Sequence, residues 1–390
     1  MADKIKFGII GYGNMGSGHA KSIFNGESPE IEVTAICDVK PERLAVAKEM
    51  WGDSVTYFTD AIEMLDSGLI DSCLVAVPHY DHPKYAIECF KRHIHVMVEK
   101  PAGVYTKQVK EMIAESKKTD TTFAMMFNQR TNCIYRKMRE LIQGGEYGEI
   151  RRTNWIITNW YRSQIYYDSG DWRATWSGEG GGVLLNQCPH QLDLWQWICG
   201  MPSKVQAHLH YGKWHDIEVE DDVTAYVEYP NGATGTFITT TGDAPGTNRF
   251  EVTLDKAKIV AEGDKLYIWE LPVPISEFTK TATSPFASLN AKCQEVETDR
   301  MNPQHRGVRN AFAAHILRGE PLVASGEEGI NGLTISNAMH LSSWLGKMVD
   351  IPFDDELYYE ELMKKVATSR RKTNVTEIVA DTSNSYSGTK

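Results

Sequence analysis

From Lys4 to about Gln129, short apolar runs alternate with amphipathic helical stretches. KIKFGII, IEVTAICD, SCLVAVP, HIHVMVEK and TTFAMMF read as strands. Between them, His82-Pro83 opens DHPKYAIECFKR with proline in the first helical turn, and Thr106 precedes a segment whose Val109, Met112 and Ile113 share one helical face. Such alternation predicts a parallel sheet with helices on both faces.

The texture changes after Arg130. One more helical stretch, IYRKMRELIQGG, ends at a glycine pair. EIRRTNWIITNW, KVQAHLHYG, DVTAYVEYP, GATGTFITTT, RFEVTLD and KIVAEGDKLYIWE follow as strands. Val223, Ala225, Val227 and Tyr229 alternate with polar residues ahead of Pro230-Asn231-Gly232, a hairpin turn signal. The second part is therefore predicted to be built on a mainly antiparallel sheet, one face of it polar or given to an interface. HRGVRNAFAAHILRG and GLTISNAMHLSSWLGKM are late helices expected to pack back on the rest, and DTSNSYSGTK reads as a frayed tail.

Composition narrows the class. The chain has 390 residues, 42% hydrophobic and 24% charged, which is ordinary globular usage and sets aside disordered, collagen-like and coiled-coil readings. Its net charge of -11 repels a phosphate backbone, so nucleic acid is not an expected partner. No apolar stretch reaches the length of a membrane span, and the N-terminal apolar run breaks into glycines rather than ending as a signal peptide would. Seven scattered cysteines without a CxxC suggest neither a disulfide framework nor a thiolate zinc site, so a reducing cytoplasm is the expected location.

Gly11-Tyr12-Gly13-Asn14-Met15-Gly16 matches GxGxxG between the first strand and a helix. In that context the first glycine permits a tight turn, the second lets a pyrophosphate approach the backbone, and the third lets helix and strand pack closely. Asp38, ending the second strand, can accept hydrogen bonds from both ribose hydroxyls and would repel a 2'-phosphate, which favours NAD over NADP. The alternative for Asp38 is a cap on the turn into Lys40-Pro41. Pro78 and His82 after the fourth strand, and Glu99 and Lys100 after the fifth, are assigned to the cofactor because ligands bind at strand ends in such sheets. His79 and His82 could instead cap the next helix.

Glu99-Lys100-Pro101, followed later by GGGVLLNQCPHQLD with its His190-x-x-Asp193, together with the glycine loop, resembles the glucose-fructose oxidoreductase and inositol dehydrogenase (Gfo/Idh/MocA) family. The resemblance runs from Ile5 to about Pro352. It implies a doubly wound Rossmann domain over residues 1–130, a substrate-binding α/β domain with a large open sheet over 131–353, and a C-terminal extension over 354–390. It also implies a homo-dimer or homo-tetramer formed through the open face of that sheet, and oxidation or reduction of a secondary carbinol of a sugar or cyclitol.

Carried over, the family's catalytic lysine is Lys100 and its active-site histidine is His190. The inositol dehydrogenase branch often has Asp four residues before that histidine, where this chain has Asn186, which can orient a hydroxyl but cannot hold a proton. Histidine titrates near neutrality, so His190 is expected to be the general base and Lys100 the donor that polarises the carbinol oxygen. The structural alternatives are a solvated lysine and a buried histidine satisfied by Asp193. Pro189 requires the helix to begin near Cys188 or to kink there, so Asn186 and His190 need not share a helical face.

Seven aromatics lie between Trp155 and Trp176, in 22 residues, an excess over the 10% of the whole chain that calls for a cause. Aromatic faces with polar tips suit a ligand with apolar C–H faces and equatorial hydroxyls. Tyr166, Tyr167, Trp172 and Arg173 are the expected substrate contacts, alongside Lys100, Asn186, His190 and His305, while Trp155 is expected in the sheet core. The pairs His93/His95 and His208/His210 lack a further ligand at metal spacing, so no metal is expected. The reading is an NAD-dependent dehydrogenase of a sugar, glycoside or cyclitol. Its alternatives are an NAD-dependent glycoside hydrolase working by transient oxidation and elimination, and a non-catalytic sugar or nucleotide sensor.

Overall fold

A computed structural model describes residues 4–370 together with 372 and 375, so the tail DTSNSYSGTK lies outside the described residues. The first part runs β1 (Ile5–Ile10), α1 (Asn14–Phe24), β2 (Ile31–Cys37), α2 (Pro41–Trp51), β3 (Thr56–Phe58), α3 (Ala61–Asp66), β4 (Ser72–Val75), α4 (His82–Lys91), β5 (His95–Val98), α5 (Thr106–Ser116) and β6 (Phe123–Met125). Its six strands are all parallel, in the order β3-β2-β1-β4-β5-β6. This is the doubly wound order whose direction reverses between β1 and β4, and ligands bind outside the strand ends at that crevice. The edge strand β3 was not among the predicted strands, because three residues carry no periodicity.

The second part contains α6 (Cys133–Gln143), β7 (Ile150–Ile157), α7 (Gln164–Tyr167), α8 (Pro189–Cys199), β8 (Lys204–Tyr211), β9 (Glu220–Glu228), β10 (Thr234–Thr240), β11 (Asn248–Leu254), β12 (Ala257–Glu262), β13 (Lys265–Glu270), α9 (Ile275–Thr281), β14 (Lys292–Glu295), α10 (Gln304–Arg318), α11 (Gly329–Leu345), β15 (Val349–Asp350) and α12 (Asp355–Thr368). Nine strands form one sheet, and only the β7–β10 pair is parallel. The Pro230-Asn231-Gly232 turn closes β9 on β10, with Tyr229 N–H donating to Ala233 O at 2.8 Å. On the covered face Trp155 stacks on Phe250 at 4.2 Å and Trp195 on Phe237 at 5.3 Å. The other face is laced with polar groups, including Asn154, Thr236 and Glu251, and the ion pairs of Arg249 with Glu251 and Glu262.

The late helix α10 returns to the first sheet, where Phe312 meets Phe7 edge-on at 6.4 Å. Two buried charges tie α8 to the start of the second part. The Arg130 guanidinium donates to both oxygens of Asp193, at 2.8 and 2.7 Å, and to Glu328 at 2.6 Å, with Arg130 and Asp193 each 1% exposed. Asp193 is thereby committed to Arg130 rather than to His190. A buried pair broken on one side leaves an uncompensated charge, so Arg130→Met should lower the unfolding free energy by about 3–5 kcal/mol, whereas Arg130→Met/Asp193→Leu should recover much of it. Urea midpoints of the three proteins check this, and a single variant as stable as wild type would show that the pair is dispensable.

Candidate active site

The turn from β1 into α1 has the features an anion needs. Gly11 has φ +93°, and a Cβ on Gly16 would lie 1.9 Å from Gly11 O, so side chains are excluded at both. At Gly13 a Cβ would meet nothing within 4 Å, and no side chain caps the helix that starts there. Open space at Gly13 beside an uncapped helix start fits a cofactor pyrophosphate. Asp38 Oδ2 accepts from Tyr12 N–H at 2.7 Å and Oδ1 from Lys40 N–H at 2.9 Å. The carboxylate thus braces the loop as well, and each oxygen retains a lone pair for a ribose diol.

At the neighbouring strand end, Glu99 is buried. Its Oε1 meets His19 Nε2 of α1 at 2.7 Å, and Oε2 accepts from Lys100 N–H at 3.2 Å. Arg309 of α10 donates to Nδ1 of the same histidine at 2.7 Å. A guanidinium can only donate, so His19 must carry its own proton on Nε2 and give it to Glu99. His19, Glu99 and His305 are the one group of metal-ligand types among the described residues, but this proton lies where an ion would have to bind. Burial pushes the Glu99 carboxyl up, yet the His19 hydrogen bond, with the Lys100 charge nearby, holds it down at about 2.

Lys100, half-buried, donates from Nζ to the backbone carbonyl of Asn186 at 2.9 Å. Asn186 belongs to a turn in which its own N–H donates to Gly182 O at 2.9 Å, and buried Glu220 of β9 accepts from Gly182 and Leu184. Helix α8 begins only at Pro189, so Asn186 lies in this turn and His190 in the first turn of the helix, and the two do not share a helical face. His190 is 1% exposed, with its ring edge-on to Phe127 at 6.3 Å. Burial above all, then the Lys100 and His305 charges, pushes its pKa well below the ordinary histidine range. Burial also lowers the Lys100 ammonium, while Glu99 and Glu179 oppose that shift. His305, T-shaped to His19 at 5.3 Å, is lowered to about 4, chiefly by burial.

The aromatic loop divides as packing requires. Tyr166 Oη receives Arg173 at 2.9 Å and Gln187 at 3.3 Å and donates to Asn186 Oδ1 at 3.4 Å. The Arg173 guanidinium lies over the Tyr166 and Trp172 rings at 4.5 and 4.7 Å. Tyr167, expected to face substrate, instead turns inward: it is buried, its hydroxyl donates to Thr241 at 2.7 Å and its ring packs on His215. Trp176 is likewise buried, against Tyr211, His340 and Trp344, and Trp155 is core as expected. Near the chain's end, Lys372 Nζ donates to Tyr167 O at 2.9 Å and tethers the loop.

His82 departs from its assignment to the cofactor. Its Nδ1 lies 2.6 Å from Pro101 O and its Nε2 2.8 Å from Val77 O, so the buried ring clasps the loops after β4 and β5. Pro78 begins the short turn His79–Asp81 between them. Glu179 was not singled out from the sequence. It is buried beside Lys100, and Asn186 Nδ2 donates to its Oε1. The available signal was a lone acidic residue inside GEGGG.

A nucleotide-type loop at the switch point of a doubly wound sheet, with a lysine, an amide and a neutral histidine at the strand ends, defines an oxidoreductase of the dinucleotide-dependent kind. Residues 5–127 match the oxidoreductase family with an NAD-binding Rossmann fold, and residues 135–260 match the GFO/IDH/MocA C-terminal domain. The chain belongs to the Gfo/Idh/MocA family and is an NAD-dependent oxidoreductase. It is 25% identical over 342 residues to myo-inositol 2-dehydrogenase of Thermotoga maritima, covering 86% of this chain and 95% of that protein. It is also 25% identical over 248 residues to D-glucoside 3-dehydrogenase of Escherichia coli, covering 58% and 68%. The WlbA dehydrogenase of Chromobacterium violaceum, solved with NADH and UDP-GlcNAcA, superposes with a TM-score of 0.76 at 26% identity over 91% of this chain and 98% of that one. Among the described residues no helix is long and apolar enough to cross a membrane.

Two outcomes follow for the cofactor. Because a side chain at position 13 would enter open space, Gly13→Val should keep wild-type thermal stability yet bind NADH at least about tenfold more weakly in a fluorescence titration. Retained affinity would place the pyrophosphate elsewhere. Asp38→Ala should lose roughly 10- to 100-fold of the preference for NAD over NADP, the worth of a hydrogen bond to a charged group; a wild type that binds both equally would contradict the role of Asp38.

Proposed function

We propose that this protein oxidises a secondary hydroxyl of a sugar, glycoside or cyclitol to the ketone. The observation that supports the reading most is the convergence of Lys100, Asn186 and His190 at the strand ends beside the glycine loop, with His190 held neutral. NAD, when bound, takes the hydride. The chain supplies the rest. His190 accepts the carbinol proton, being unprotonated at neutral pH. Lys100, its charge supported by Glu99 and Glu179, donates to the oxygen as negative charge grows there. Asn186 accepts from a neighbouring hydroxyl of the substrate and so sets the direction of the ring.

Tyr166, Trp172 and Arg173 form a wall with aromatic faces and polar tips, and His305 closes the side toward Glu99. Arg173 Nε and Gln187 Oε1 are buried without a hydrogen-bond partner among the described residues, as a site for a hydroxyl-rich ligand requires. We extend the proposal to a homo-dimer or homo-tetramer through the open sheet face, where Ile156, Ile238 and Tyr226 lie among the charged groups. Light scattering at the mass of one chain, 43.9 kDa, would refute that part.

The test is NADH formation on a panel of myo-inositol, methyl β-D-glucopyranoside and a UDP-linked sugar acid. NADH accumulating in step with ketone is the expected result. Cleavage of the glucoside without net NADH would replace it by the transient-oxidation hydrolase. His190→Ala should lower kcat by roughly 10²- to 10⁴-fold. The base form is lost as pH falls through the His190 pKa, and that pKa is lowered, so the acidic limb of kcat/KM should lie below the ordinary histidine value of about 6.5 and vanish in the variant. A near-normal kcat in His190→Ala would reject the assignment.

A further inference from the structure

Position 186 holds an amide where the related branch often has a carboxylate, and the structure puts a different carboxylate one hydrogen bond behind it. Glu179 lies in the GEGGG run ahead of the turn, 1% exposed. Its Oε2 accepts from Ala174 N–H at 2.6 Å, its Oε1 accepts from Asn186 Nδ2, and Arg173 stands 4.0 Å away. His79 Nδ1 lies 3.2 Å from the backbone carbonyl of the same residue.

The logic of donors then runs one way. Asn186 has a carbonyl and an amino group that are sterically interchangeable, so its orientation is decided by what it faces. An ionised carboxylate accepts only, so Glu179 can face Nδ2 and never Oδ1. On the other side, Arg173 donates to Tyr166 Oη at 2.9 Å, which leaves the tyrosine proton free to go to Asn186 Oδ1 at 3.4 Å. Both ends of the chain demand the same orientation. The 3.4 Å bond is long, and a carbonyl oxygen has a second lone pair, so Oδ1 retains capacity for a substrate hydroxyl.

We infer that Glu179 is a positioning residue for the reaction: its buried carboxylate holds the Asn186 amide with the oxygen turned toward the substrate, so that it accepts a hydrogen bond from a hydroxyl next to the reacting one, whose own proton goes to His190, while the negative charge stays one bond further back. The inference rests on the dehydrogenase reading above. Burial raises the Glu179 carboxyl, with Arg173, the Ala174 and Asn186 donors and Lys100 opposing that rise.

The test moves the charge. In Glu179→Gln the new side chain offers both a donor and an acceptor, so Asn186 is free to turn over. In Asn186→Asp alone two carboxylates face each other. In Glu179→Gln/Asn186→Asp a donor again faces an acceptor, with the charge transposed. With the best alcohol of the panel, each single variant should lose roughly 10- to 100-fold in kcat/KM, the worth of a hydrogen bond to a charged group, with NADH affinity unchanged. The double variant should recover to within a few-fold of wild type. In protein labelled with 15N-asparagine, the Asn186 side-chain amide, identified by its loss in Asn186→Asp, should show one proton shifted far downfield, a shift that collapses in Glu179→Gln.

An Asn186 signal indifferent to Glu179→Gln, or a double variant no more active than the product of the singles, overturns the inference. A wild type that oxidises none of the panel would instead sink the functional reading, and the amide signal would still decide this one.

Discussion

A carboxylate buried at the carboxyl end of β5 governs the architecture around it. Glu99 stays ionised in a place where water cannot reach it, and such a charge must be met by donors. His19 meets it from α1, the helix that follows the glycine loop, and the Lys100 amide from the strand end itself. Arg309 fixes His19 from α10, a helix that follows the whole second sheet. The chain must therefore return to its first sheet after completing its second, and the site is assembled from both.

The two halves of the site are built by different physics. On the proposed nucleotide side, the groups are backbone amides, a glycine without a side chain and one acidic residue, all of which depend on main-chain geometry at a strand–helix junction. On the proposed substrate side, side chains form a directed series from Arg173 through Tyr166 and Asn186 to Glu179. The first arrangement suits any dinucleotide enzyme of this topology. The second depends on the particular donors and acceptors present, since function resides in the site rather than in the fold.

Buried ions recur as supports rather than as chemistry. Asp193 binds Arg130 and so anchors the helix that carries His190, and Glu220 holds the amides of the turn that carries Asn186. Neither needs to touch a ligand. Their common effect is to leave His190 among apolar and cationic neighbours, Phe127 and Lys100 among them, which keeps it neutral.

Much was legible in the linear pattern. The alternation of strands and helices up to β6, save the edge strand β3, the glycine loop, the Pro230-Asn231-Gly232 hairpin and the break that Pro189 imposes on α8, as a start or a kink, are local: a few consecutive residues, through φ, side-chain size or a missing N–H, determine the outcome. Lys100, Asn186 and His190 were singled out through the resemblance of their surrounding motifs to the family, and the positions of the first and last at a strand end and beside Pro189 agree with it. What the sequence could not disclose depends on partners far away in the chain. Tyr166 and Tyr167 are adjacent and chemically alike, yet only packing sent one hydroxyl toward Asn186 and the other into Thr241. His82 stands where a cofactor contact or a helix cap is expected, yet the carbonyls of Val77 and Pro101 lie at its two ring nitrogens. The parallel pairing of β10 with β7, the partner of Asp193 and the place of Glu179 behind Asn186 were likewise settled by tertiary structure alone, because burial makes a polar group's role depend on which donor or acceptor the fold delivers to it.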